Sequence, residues 1–401
     1  MQSGGAAPGA CVVPVFRVGS ALVARLLFSV PYVTGSESTY VAEALASDHW
    51  QGDGPFTKRA VGLLQKVTGA RGVVLTTSCT HALELAAVLI GLKPGDEVIC
   101  PTFTFSSTAT AIVSRGAVPV FVDIDPRTLN IDPAAAEAAI TARTTAMFIL
   151  HYGGVAADLD RLMAIADAHG LAVVEDNAHG LGASFRGRHL GTFGTLGTQS
   201  FHDTKNVAMG EGGALLVQDP ALLTRAEIVR DKGTNRARFW RGEIDKYTWV
   251  DEGSSYLPSD ILAAVLCAQL EGFDDIQTRR MHVWDRYSAE LADWASSADV
   301  DLMWIPPECS HPAHLYFLIM PAPADQQGLI RHLRELDIVA TFHYQPLDQA
   351  PAGQTFGRTP SPCDVAYDRA SRLVRLPIHA NMTDVEIDRV IEGVTTYTPR
   401  G

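Results

Sequence analysis

Positive charge is in short supply in this chain: 32 Lys and Arg stand against 45 Asp and Glu, a formal net charge of −13. That balance argues against nucleic acid or an anionic membrane surface as a partner, since either would need a broad basic face. Paired cysteines are missing as well. Cys11, Cys79, Cys100, Cys267, Cys309 and Cys363 are scattered without a CxxC pair, which fits a reducing cytoplasm better than a disulfide framework. No apolar run reaches the ~20 residues of a membrane span. Val12–Val30 comes nearest, but Pro14, Arg17 and Arg25 interrupt it and no basic segment precedes its apolar part, so a signal peptide is not expected. His311 and His314 have the spacing of helical metal ligands, yet Pro312 spoils the helix and no Cys or carboxylate cluster lies nearby, so no metal is expected. Gly180-Leu181-Gly182 lacks the third glycine of a dinucleotide loop, Phe185 standing in its place. Internal repeats are absent, and so is any low-complexity tract past Pro8.

What is present is ordinary soluble-protein composition, 47% apolar and 19% charged, over 401 residues. That length suggests one large domain and a smaller one. We expect a large α/β domain over 28–294 and a smaller C-terminal α+β domain over 295–401, with residues 1–27 a poorly ordered extension. Apolar runs at Gly72–Leu75, Asp96–Cys100, Val118–Asp123, Ala146–Leu150 and Leu171–Val174 read as strands. Helical patterns alternate with them at Ser106–Arg115, Pro133–Thr141 and Ala157–His169, predicting a mostly parallel sheet wrapped on both faces. Later helices are expected at Pro220–Asp231, Pro258–Leu270 and Asp274–Trp294. The smaller domain should hold strands at Leu315–Met320 and Ile338–His343, and helices at Asp325–Leu336 and Asp384–Val394.

The chemistry concentrates between Leu171 and Gln218. A buried strand ends in Glu175-Asp176, where open α/β sheets place their ligands. A Gly-rich loop and a second strand follow, and then Lys205 between Thr204 and Asn206. An acid and an amine reaching one crevice from two sides suit pyridoxal phosphate, with Lys205 forming the Schiff base and Asp176 keeping the pyridine nitrogen protonated. The plain alternative is a turn-capping Asp176 and a solvated Lys205. Ser78, Cys79 and Thr80 follow a strand and open a helix, which makes either a phosphate site or a simple N-cap. Phe105 follows a strand end and could cover a planar ring, or it could alternate with Phe103 in the core.

Val173-Val174-Glu175-Asp176-Asn177-Ala178-His179, Ser200-Phe201-His202-Asp203-Thr204-Lys205-Asn206 and Gly210-Glu211-Gly212-Gly213 together resemble the signature of the DegT/StrS sugar-nucleotide aminotransferases, which are fold-type I pyridoxal phosphate enzymes. The likeness runs from about Phe28 to Thr398. Within that family the chain looks most similar to dTDP-4-dehydro-6-deoxy-glucose 4-aminotransferases, through Lys232–Arg236, Asp245–Trp249 and Gly253–Leu257. The resemblance implies a homodimer with sites at the interface and a ping-pong cycle between pyridoxal and pyridoxamine phosphate. L-glutamate would be the donor and a dTDP-4-keto-6-deoxyhexose the acceptor. It also implies that His179 lies over the ring, that Ser200 completes the phosphate cup with Cys79 and Thr80, and that His343 and Tyr344 lie near the sugar. Arg236 and Arg241 could meet the diphosphate or be surface charge. The chain departs from much of the family at Ser255, where Asn is common. Related dehydratases carry His where this chain has Lys205, so amino transfer is the expected reaction. A 3-aminotransferase and a non-catalytic cofactor-binding regulator are the rival readings.

Overall fold

The computed structural model describes residues 25–401. Seven strands form the central sheet: β1 Gly72–Thr76, β2 Glu97–Pro101, β3 Val118–Val122, β4 Thr144–Leu150, β5 Ala172–Asp176, β6 Leu196–Ser200 and β7 Gly213–Val217, in the order β1-β7-β6-β5-β4-β2-β3. β7 is antiparallel to both neighbours and the rest run in one direction. The strands are buried nearly throughout because both faces are covered, and all but β6, which reads Leu-Gly-Thr-Gln-Ser, are mainly apolar. Successive residues point to opposite layers. Val74, Val98, Phe148, Val174 and Leu215 pack under helices Cys79–Leu89, Ser106–Val113 and Pro220–Arg230. Val73, Leu75 and Leu216 face helices Pro55–Thr68 and Asp260–Glu271. On that same face Ile99, Val120, Met147 and Val173 meet helices Pro133–Ala138 and Leu159–His169.

A consequence of the shared strand direction is that β1, β2, β4, β5 and β6 all deliver their C-terminal ends to one edge. Leu150 pairs with Asp176 across β4 and β5, and reversed β7 brings Gly213 to the same edge opposite Ser200. The edge where the sequence puts Asp176, Ser200 and the Ser78 turn is therefore a single place in the fold.

The C-terminal part is built on an antiparallel sheet of Asp301–Leu302, Tyr316–Ile319 and Leu373–Leu376. Its core draws on helices Phe273–Glu290, Pro323–Glu335 and Asp384–Thr395. Thr383 and Glu386 close a capping box at the start of the last helix.

Three expectations need correction. The long helix read over Asp274–Trp294 is two, Phe273–Glu290 and Ala292–Ser297, broken at Leu291. The strand read over Ile338–His343 does not form; the segment makes only isolated bridges, Ile338 with Leu26 and Thr341 with Arg375. Leu26 is 3% exposed and packs in the C-terminal core, so at least this residue of the stretch read as an extension over residues 1–27 belongs to the fold. Residues 1–24 of that stretch lie outside the described residues. No helix among the described residues is long and apolar enough to cross a membrane.

Candidate active site

A cavity of about 600 Å³ opens at the strand-end edge. Its floor is Asp176, 3% exposed at the end of β5. The carboxylate accepts from Thr108 Oγ1 at 2.8 Å and from the Ala178 N–H at 3.2 Å. Burial pushes its proton affinity up, and those two donors only partly offset the rise. Such a carboxyl gains most from a cationic N–H placed against it.

Lys205 reaches the same cavity from the turn after β6. Burial lowers its ammonium to about 8 from 10.5; Cys79 and Asp176 push the other way, and Arg375 adds to the fall. A substantial share of this amine is neutral near pH 8, as a nucleophile or proton carrier requires.

At one end of the cavity lies the start of helix Cys79–Leu89. Ser78 caps it by accepting the His81 N–H at 3.1 Å, which leaves the earlier first-turn amides directed outward. Ser78 is thus an N-cap, and Ser78, Cys79, Thr80 and Ser200 all line the cavity. The Cys79 thiol is raised to about 12 by burial first and by Asp176 second, so it stays protonated. Gly213 allows the sheet to come this close, since a Cβ there would meet the Cys79 nitrogen at 2.5 Å. A helix start with free amides, a serine and threonine pair and a neighbouring lysine is a donor set matched to a phosphate.

Phe105 is 58% exposed and lines the cavity, whereas Phe103 is fully buried. The core alternative therefore holds for Phe103 and fails for Phe105.

His179 is held rather than free. Its Nδ1 accepts the Gly153 N–H at 3.2 Å, its ring stacks on His314 at 4.4 Å, and Nε2 lies 3.3 Å from Tyr344 Oη. Burial, reinforced by the charges of Lys205 and Arg375, keeps it neutral. With Nδ1 accepting, the proton sits on Nε2. His343 receives an N–H from Arg375 on Nε2 and so donates from Nδ1 to Tyr152 Oη.

Arg236 and Arg241 are not among the cavity residues. Arg236 pairs with Asp231 at 2.9 Å, and Arg241 with Glu227 at 2.9 Å and with Glu243 at 2.6 Å. Within their own chain they are surface charge.

Sequence reading missed Thr108, which orients Asp176, and Arg375, which lines the cavity. The signal for Arg375 was a lone charge in the apolar run Leu373–Leu376. It also missed His314, whose Nδ1 bonds Asn206 Oδ1 at 3.0 Å and which lines the cavity beside His179. Among the described residues, no group of acids, cysteines and histidines could hold a metal.

Beside Asp176, Glu175 turns to the other face and is fully buried. It accepts from Gly191, Phe193 and Gly194 amides at 2.6–2.7 Å and pairs with His151 at 2.9 Å. Burial alone would raise its pKa; His151 and the amides outweigh that and hold it low. Replacing Glu175 with Ala orphans all four partners and should cost about 3–5 kcal/mol in a denaturant melt. A loss under about 1 kcal/mol would contradict this account of how the strand end is fixed.

Comparison with known proteins bears directly on this edge. A family model, the DegT/DnrJ/EryC1/StrS aminotransferase family, matches residues 31–395. The chain belongs to that family. It is 35% identical to the spore coat polysaccharide biosynthesis protein SpsC of Bacillus subtilis strain 168, over 92% of this chain and 96% of that one. The aminotransferase TlmJ from Streptoalloteichus hindustanus superposes with a TM-score of 0.85 at 30% identity, covering 93% of this chain and 98% of TlmJ. Spr1654 from Streptococcus pneumoniae, described as a sugar aminotransferase and solved in a pyridoxal phosphate form, gives 0.85 at 27% identity, with 93% and 98% covered. The chain is thus an aminotransferase of fold type I with pyridoxal phosphate as its cofactor. For a DegT/DnrJ/EryC1/StrS aminotransferase the donor set fits that group: an enclosed amine, a buried carboxyl lacking a cation, and a phosphate-sized nest.

Proposed function

We propose that this aminotransferase moves an amino group from L-glutamate to the C4 keto carbon of a dTDP-4-keto-6-deoxyhexose, giving the dTDP-4-amino-4,6-dideoxyhexose in the cytoplasm. The observation that carries the reading is the Lys205 amine, lowered to about 8 in the same cavity as Asp176. Support for the sugar comes from Spr1654 and SpsC, and for the C4 position from Lys232–Arg236, Asp245–Trp249 and Gly253–Leu257. Pyridoxal phosphate, when bound, supplies the electron sink and carries the amino group between the two half-reactions. Lys205 Nζ would hold the cofactor, and as an amine lowered by burial it would carry the proton of the donor's α-carbon. Asp176 holds a proton on the ring nitrogen by its charge. Phe105 and His179, both lining the cavity, would hold the cofactor ring. Ser78, Cys79, Thr80 and Ser200 hold the phosphate, and His343 and Tyr344 meet the sugar.

A homodimer completes the site in this reading. Trp240, Tyr247 and Trp249 are 71%, 51% and 76% exposed around the 233–241 loop, an apolar patch of the kind that interfaces cover. That loop would carry Arg236 and Arg241 toward the diphosphate in the partner's cavity.

Incubation with dTDP-4-keto-6-deoxyglucose and L-glutamate, followed by NMR of the product, tests the reading. An amine at C4 is the expected result. An amine at C3, formed from the corresponding 3-keto sugar, or loss of the hydroxyl without amination, would make the enzyme a 3-aminotransferase or a dehydratase. A bound-cofactor absorbance band that L-glutamate leaves unchanged would point to a regulator.

A further inference from the structure

Beside Lys205 the cavity wall holds an imidazole with no part so far in the transfer step. His314 is 5% exposed, precedes strand Tyr316–Ile319 and lines the cavity with Lys205 and His179. Its ring stacks on His179 at 4.4 Å and 23°. Its Nδ1 meets the side chain of Asn206, the residue after Lys205, at 3.0 Å.

Proton placement in this contact follows from Asn206. Its Nδ2 donates to the Pro312 carbonyl at 2.6 Å and to Gln277 Oε1 at 3.0 Å. A carbonyl can only accept, so the amide nitrogen faces Pro312 and Oδ1 faces His314. His314 Nδ1 therefore carries a proton and donates it. Burial, reinforced by the charges of Lys205, Arg280 and Arg375, keeps the ring neutral, which leaves Nε2 bare.

The turn that bears Lys205 is thus tied to the C-terminal part. Two glycines let that part come in. A Cβ at Gly154, where φ is +78°, would lie 2.4 Å from Pro312 Cδ, and the neighbouring Gly153 N–H is the one His179 accepts. On its other side the turn faces solvent, with Asp203 and Thr204 exposed. The Lys205 N–H bonds the His202 carbonyl inside the turn itself. Its polar anchor to the rest of the fold is Asn206, 8% exposed.

We propose that His314 is a positioning residue: through Asn206 it sets how deep the Lys205 amine sits, and through its ring it aligns His179 beside that amine. This rests on the transfer reading above. The two contacts make different demands. Any flat ring can stack on His179, whereas Asn206 Oδ1 needs a donor at Nδ1. The titratable groups around Lys205 are Cys79, Asp176 and Arg375, and those around His314 are His179, Lys205, Arg280 and Arg375. Because His314 is neutral, replacing it changes no charge among them, and a shift at Lys205 then reports its depth of burial.

His314→Phe keeps a flat ring on His179 and removes the donor to Asn206. His314→Asn does the reverse, its Nδ2 standing where Nδ1 stood. Capture of pyridoxal phosphate by the full-length apoprotein, followed against pH, reads the Lys205 amine. In His314→Phe the midpoint should climb by about one pH unit, from about 8 toward 10.5, as the turn rises toward water. In His314→Asn it should stay in place. In holoenzyme, His314→Phe should lower kcat for L-glutamate about 10–100-fold with KM changed by less than about threefold. The isotope effect from α-deuterated glutamate should grow with it, because a displaced amine slows the proton step. An unmoved midpoint in His314→Phe, or equal shifts in both variants, would make His314 a space filler and overturn the proposal. Nitrogen-15 NMR of the imidazole gives a check apart from turnover: Nδ1 should be protonated and Nε2 bare, and the opposite tautomer would overturn the proposal as well. Wild-type protein that captures the cofactor but converts no donor contradicts the transfer reading instead, and the midpoints and the NMR still decide His314.

Discussion

Replacing Lys205 with Ala should lower amino transfer about ten-thousand-fold or more, since proton transfer alone contributes 10²–10⁴ and the covalent anchor is lost with it. The variant should nonetheless fold, and at neutral pH should be the more stable apoprotein. The wild-type ammonium is lowered from 10.5 to about 8 by burial. The folded state therefore holds fewer protons than the unfolded state between those values, and stability rises with pH across that window. Below about pH 8 the buried amine costs roughly 1–3 kcal/mol, a cost that Lys205→Met removes. Thermal melts of the two apoproteins from pH 7 to 10.5 should converge as pH climbs. Parallel curves would contradict the enclosed-amine account, as would more than a few per cent of residual turnover in Lys205→Ala.

Asp176→Asn should give the second largest loss, about 10²–10³-fold in both half-reactions, because an amide cannot hold a proton on the ring nitrogen by charge. The substitution also has a signed effect on its neighbour. Asp176 raises the Lys205 pKa, so its removal lowers that value further below 8. Capture of pyridoxal phosphate by the apoprotein, followed against pH, should show its midpoint fall in Asp176→Asn. A midpoint that stays in place or rises would separate the two groups electrostatically and contradict their shared cavity. Thermal stability distinguishes these effects from misfolding, since Asn Oδ1 can still accept the Ala178 N–H while its Nδ2 donates to Thr108 Oγ1.

How much of this was legible in the sequence depends on whether the cause is local. The strand ending at Asp176, the Ser78 cap and the turn bearing Lys205 are written in short runs, apolar residues giving way to polar ones at a sheet edge, and the structure brings those residues together. Phe103 and Phe105 were ambiguous because alternation alone cannot say where a strand stops; β2 ends at Pro101 and Phe105 falls just before a helix, facing the cavity. Residues 338–343 alternate like a strand, but a strand needs a partner along its length. The available partners are only single residues, Leu26 and Arg375. His311 and His314 were weighed as ligands on spacing. What decides His314 is Asn206, over a hundred residues away, with His179 stacked on it. Arg236 and Arg241 differ in that their acids are near in sequence, Asp231 for the first and Glu227 and Glu243 for the second, but charge alone does not say which neighbours will pair.

The account depends most on covalent attachment of the cofactor at one position. Borohydride reduction of the cofactor-saturated enzyme, followed by peptide mapping, should place the pyridoxyl group on the peptide containing Lys205. Reduction that leaves Lys205 unmodified, or that labels another lysine in its stead, would contradict it.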